Sequence, residues 1–154
     1  MNDEVNVGKS LLISIRPKWI ELINSGKKTV EVRKNVPNDL WAPYRCFVYC
    51  TKPKFKARKN DSVAFFWGPY SGMVIGEFVC DHIVRYNKND VGLGLLKRRS
   101  CVPKEELLKY VGTGTHLFGW HISEWKLYDN PRPISSFGLK RPPQSWVYVE
   151  KEAT

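Results

Sequence analysis

The apolar positions of this chain fall into short runs separated by polar, turn-rich stretches. Residues 11–15 (LLISI) form a continuous apolar run rich in β-branched side chains, which predicts a buried strand. Arg16 precedes Pro17, and proline suits the first helical position. Trp19, Ile20, Leu22 and Ile23 then recur at helical spacing until Ser25-Gly26, so a short helix is expected there. Over residues 29–33 the pattern alternates. Val30 and Val32 are assigned to the inward face of a strand, with Thr29, Glu31 and Arg33 together on the other. Further strands are expected over 45–51, 62–67, 73–86, 116–128 (one or two strands) and 146–150. A second short helix fits 102–110, with Pro103 at its start, Glu105 and Glu106 in its first turn and Gly112 beyond its end. Residues 87–100, with Gly92 and Gly94, carry no clear assignment. Strands outnumber helices and do not alternate with them as in a parallel βαβα sheet. The expected fold class is α+β, a small mixed β-barrel with short flanking helices.

At 154 residues the chain has the length of one domain, expected over 11–150 behind a loose polar tail at 1–10. Six Trp, seven Tyr and seven Phe in a 42% hydrophobic composition supply a core and exclude disorder. No apolar run approaches the roughly 20 residues of a membrane span, and the start lacks a signal-peptide core, so a cytoplasmic protein without a membrane partner is expected. Cys46 and Cys50 lie four apart in one strand, about 13 Å, which is too far for a disulfide. Reduced, structural cysteines follow. A zinc site would have to recruit His82, His116 or His121 from elsewhere, and neither metal nor cofactor is expected.

Charge changes the picture more. Lys and Arg number 25 against 15 Asp and Glu, a net +10, which favours a polyanionic partner, most often nucleic acid. Two basic stretches, 52–59 and Lys97-Arg98-Arg99, contain few aromatics and suit phosphate contact better than base reading. A merely solvated basic surface is the plainer alternative for both.

The order strand, Pro-led helix, then Gly26-Lys27-Lys28-Thr29-Val30-Glu31-Val32-Arg33 resembles the Gly-x-Lys-x-x-Glu-x-Arg signature of ASCH domains, in the PUA-like superfamily. PKEELLKY, FGWHIS, DNPRPIS and RPPQSWVYVE follow in the order of a phage- and bacterial-type branch of that family, so the resemblance spans nearly the whole chain. It implies a β-barrel with flanking helices and a cleft for RNA or a modified nucleotide. Within it, Ser14, Arg16 and Lys18 at the strand end and helix start lie beside the polar face of the next strand, and the helix start favours an anion. Arg33 suits a phosphate or base edge, and Glu31 an exocyclic amine; a solvated Glu–Arg pair is the alternative. Trp120 is either core or a stacking platform, and Gln144 and Ser145 either read a base edge or cap a turn.

The favoured reading is a nucleic-acid-binding module, with RNA ahead of DNA. The alternative is a hydrolase acting on RNA or a modified nucleoside. Acetylcytidine amidohydrolases in the superfamily carry a catalytic Thr three residues after the motif Lys. Lys28, the candidate catalytic residue, matches that Lys, but Glu31 occupies the Thr position and Thr29 is displaced by about 7 Å along a strand. A ribonuclease would need only a Lys, Tyr or His beside the scissile phosphate.

Overall fold

The computed structural model describes residues 9–38, 43–52 and 68–150. All of the basic stretch 52–59 but Lys52, and the strand expected over 62–67, lie outside them. Eight strands are described: β1 Lys9–Ile15, β2 Val30–Arg33, β3 Tyr44–Cys50, β4 Val74–Cys80, β5 Ile83–Asn87, β6 His116–His121, β7 Ser123–Arg132 and β8 Trp146–Val149. With them come three helices, α1 Pro17–Asn24, α2 Asp90–Ser100 and α3 Lys104–Val111, and a 3-10 turn at Ile134–Phe137. Among the described residues no helix is long and apolar enough to cross a membrane.

The strands form two open sheets, so the expected barrel is corrected. One has the order β7-β4-β3-β1-β8, with β1 and β3 parallel and the other pairs antiparallel; the second is β2-β6-β5. The break falls at Asp81-His82. The apolar pattern over 73–86 runs through that turn, but the chain leaves the large sheet there and β5 pairs with β6 instead. Strands β7 and β8 remain at opposite edges of the large sheet, and a barrel would require such edges to pair.

Both faces of the large sheet are covered, which explains the unbroken apolar run in β1. Leu11, Ile13 and Ile15 enter one cluster with Cys46, Val48, Cys50 and Phe78, while Leu12 joins Phe47, Tyr49 and Phe137 on the other face. Trp120 of the small sheet belongs to the first cluster, so the main core lies between the sheets and α1. The opposite face of the small sheet packs Val30, Val32 and Leu117 against Leu93 and Leu96 of α2 and Leu107 of α3.

Two residues past the end of α1 the chain turns at Gly26, whose φ of +80° is the left-handed conformation glycine adopts freely. Helix α2 occupies the segment left unassigned from sequence. Asn89 caps it, its Oδ1 accepting from the Gly92 N–H at 2.7 Å, and Lys97, Arg98 and Arg99 complement the dipole in its last turn.

Candidate functional site

A cleft of about 350 Å³ opens where the end of β1, the start of α1, strand β2, helix α3 and the approach to β8 meet. Its lining includes Ser14, Arg16, Trp19, Glu31, Arg33 and Gln144. The parallel β1–β3 pairing forces a crossover through α1 and β2. That crossover turns Glu31 and Arg33 toward the end of β1, because alternation on β2 sends both side chains to the face opposite Val30.

Arg33 is built into the wall. Its guanidinium donates to the Ser14 carbonyl at 2.7 Å and to Ser145 Oγ at 3.0 Å, joining positions 112 residues apart. Ser14 in turn donates its hydroxyl to the Pro143 carbonyl at 2.7 Å and its N–H to the Ser145 carbonyl at 2.9 Å. The structure brings Ser14, Arg33 and Ser145 together, with Gln144 in the lining of the same cleft, and Arg33 here binds protein groups. Two of its five N–H donors are bound to protein, which fixes the guanidinium in the wall.

What remains for a ligand is narrower. Arg33 Nε and Glu31 Oε2 are buried and have no hydrogen-bond partner among the described residues. Glu31 Oε1 stands 3.8 Å from that Nε, an ion pair too long for a hydrogen bond, and accepts from the Val32 N–H at 3.2 Å. A carboxylate with a free, desolvated oxygen is costly unless something donates to it. Trp19 lies half-buried at the cleft wall, with the Lys18 ammonium 4.4 Å and the Lys28 ammonium 5.0 Å from its ring centroid. Trp19 is thus one aromatic side chain of the cleft that holds the carboxylate. Sequence reasoning treated it only as part of the apolar stripe of α1. Tyr110 of α3 also lines the cleft, and burial raises its phenol above the usual value. Glu106 adds a second carboxylate there.

Other expected residues lie elsewhere. Trp120 is 0% exposed and packs on Trp146 at 5.9 Å between ring centroids, so it is core and offers no stacking face. Lys28 is also buried, 2% exposed, and donates to the Ser100 carbonyl at 2.8 Å. It holds the end of α2 and does not line the cleft. Burial lowers its pKa from the ordinary 10.5, against the opposing charge of Glu31. Thr29 turns away from Glu31 and Arg33: its N–H donates to the Arg99 carbonyl at 2.9 Å, and it lines a separate pocket on the other face of the small sheet. Lys28 and Thr29 therefore do not assemble the amidohydrolase arrangement in the cleft. The expected anion cradle at α1 is also reduced. Pro17 has no N–H, and the Trp19 and Ile20 N–H groups donate to the Arg16 carbonyl. Lys97, Arg98 and Arg99 are exposed on α2, and Arg99 donates to the Tyr86 hydroxyl at 2.8 Å.

The cysteines are free, as expected. Cys46, Cys50 and Cys80 are buried, and burial pushes the Cys50 and Cys80 thiols up to about 12.

No protein-family model matches the chain, and no curated protein matches it. Solved structures do. The crystal structure of ASCH from Zymomonas mobilis aligns with a TM-score of 0.66 at 23% identity, over 94% of this chain and 90% of that one. Two point mutants of the same protein, one serine-to-alanine and one tyrosine-to-phenylalanine, align with TM-scores of 0.68 and 0.66. The chain has the fold of an ASCH domain.

Proposed function

We propose that the cleft binds a nucleobase of RNA or of a modified nucleotide, and that the protein is a nucleic-acid-binding module. The buried, unpartnered Glu31 Oε2 carries this reading: in a desolvated cleft it selects a ligand edge that presents N–H donors, as base edges do. Trp19 supplies a face for the base, and the exposed Arg16 lies at the cleft for the attached phosphate. The net charge of +10 raises affinity for any polyanion, while the cleft confers the choice among bases.

The test is a panel of short single-stranded RNA and DNA oligonucleotides differing in one central base, titrated at several salt concentrations. Glu31→Gln replaces the accepting oxygen by a donor of the same shape. It is expected to compress the preference between best and worst base by about 1–3 kcal/mol while leaving the salt slope unchanged. Trp19→Leu is expected to weaken every sequence alike. Equal affinity for all bases in the unmodified protein, or an unchanged preference in Glu31→Gln, overturns the assignment.

A further inference from the structure

On the other face of the small sheet, Asp81, His82 and His121 converge. Each offers one ligand atom, and the three atoms lie within 4.8 Å of one another. Both imidazoles aim Nδ1 at the same carboxylate oxygen, Asp81 Oδ1, His82 at 3.2 Å and His121 at 2.6 Å, and the rings stack at 4.5 Å. The backbone fixes this meeting of residues 40 positions apart. The His121 N–H donates to the His82 carbonyl at 3.0 Å, and that carbonyl also accepts from the Cys80 thiol. All three side chains remain open to solvent, at 34–55% exposure, so an ion has a way in.

We infer that Asp81, His82 and His121 bind a divalent cation of the zinc type. Two imidazole nitrogens and one carboxylate oxygen are a donor set for a borderline metal, in contrast to the all-oxygen sets that calcium and magnesium prefer. The spacing fits. Bonds of about 2.0–2.1 Å in a tetrahedron place ligand atoms roughly 3.4 Å apart. The His82 contact stands close to that separation, and the His121 contact reaches it by opening less than about 1 Å. Three protein ligands leave a fourth position free, as in metal sites that take water or a small ligand. A pocket of about 240 Å³ adjoins it, lined by Thr29, Tyr86, Arg99 and Gly119 together with the two histidines. Glycine makes that space: a Cβ at Gly119 would lie 2.6 Å from both the Tyr86 ring and the Val30 side chain. Arg99 at the pocket wall favours an anion as the fourth ligand. This site lies on the opposite face of β2 and β6 from the Glu31 cleft, and its test is independent of that reading.

The test uses the full chain, stripped with a chelator and dialysed, then titrated with Zn²⁺ by calorimetry and with Co²⁺ by visible absorption. One equivalent is expected to bind, with the intense d–d bands of four-coordinate cobalt and no thiolate charge-transfer band. His82→Ala and Asp81→Asn sit in an exposed turn. Each is expected to lower affinity by more than the roughly 10–100-fold that loss of an outer-shell partner costs. Circular dichroism and thermal melting check the fold of every variant, and Zn²⁺ should raise the melting temperature of the unmodified protein but not of these two. Cys101→Ser and His116→Gln, elsewhere in the fold, are expected to bind as the unmodified chain does. Absence of stoichiometric binding, unchanged affinity in His82→Ala and Asp81→Asn, or its loss in Cys101→Ser overturns the assignment.

Discussion

Arg33→Ala is expected to damage the fold before it damages any ligand contact. The side chain is only 11% exposed, and its guanidinium holds the Ser14 carbonyl at 2.7 Å and Ser145 Oγ at 3.0 Å. Hydrogen bonds to a charged group contribute roughly 1.5–3 kcal/mol each, and removing one partner of a buried ion pair costs about 3–5 kcal/mol because the other charge stays behind. Here Glu31 stays behind, with one oxygen already unpartnered. The two bonds and the orphaned carboxylate are parts of one network, so the larger single figure, about 3–5 kcal/mol, is the expected loss rather than their sum. At this chain length each kcal/mol moves the melting temperature by roughly 2–4 °C, which gives a drop of about 6–20 °C. Urea unfolding should show the same loss as a shifted midpoint at unchanged slope. Arg33→Lys keeps the charge but cannot span both acceptors, and should recover less than half of the loss. A double-mutant cycle with Ser145→Ala then isolates the long-range bond, with an expected coupling of about 0.5–3 kcal/mol. An Arg33→Ala protein within about 1 kcal/mol of the unmodified one, or zero coupling to Ser145, would refute the clamp.

Lys28 gives a pH signature. Burial holds its folded pKa below the ordinary 10.5, so the folded state binds the proton more weakly than the unfolded one; the resulting destabilisation is complete below the folded pKa and disappears as pH rises to 10.5. The stability of the unmodified protein relative to Lys28→Met should therefore climb with pH across that window, and a flat difference in denaturant titrations from about pH 7 upward contradicts it. For the thiols, an aromatic disulfide reagent at about pH 8 should label Cys101 of the native protein at once. Cys46, Cys50 and Cys80 should react only on unfolding, since all three are buried and burial pushes two of them up to about 12; early labelling of three or four thiols would refute this.

Local pattern was enough for most strands because their burial is local. The run 11–15 and the alternation at 29–33 correspond to β1 and β2 to within two residues. Pattern failed where tertiary contacts overrode it. Helix α2 carries a start and a stop in its sequence, Asn89 before Asp90 and three basic residues at its end, with Leu93 and Leu96 at helical spacing. Gly92 and Gly94 conceal it, each costing about 1 kcal/mol of helix propensity. Gly92 is present for a reason no window of sequence displays: a Cβ there would sit 2.3 Å from the Asn87 carbonyl oxygen. The division into two sheets was equally hidden, since apolar residues continue on both sides of Asp81-His82 and only the pairing partners differ.

For the site, alternation over 29–33 puts Glu31 and Arg33 on one face, where both line the cleft, but it puts Thr29 there too, and the structure turns Thr29 away. Alternation does not give the roles. An arginine in a signature reads as a ligand fork because its geometry suits phosphate, yet the same geometry suits a carbonyl and a hydroxyl of the protein, and here those acceptors take it. The deciding fact is which donors and acceptors the fold leaves over. With Ser14 and Ser145 bound to Arg33, Glu31 Oε2 is a buried carboxylate oxygen of the cleft with no hydrogen-bond partner among the described residues. In the proposed function, selectivity is therefore assigned to the glutamate. The variants separate the two roles: Arg33→Ala should lower stability, whereas Glu31→Gln should change ligand preference.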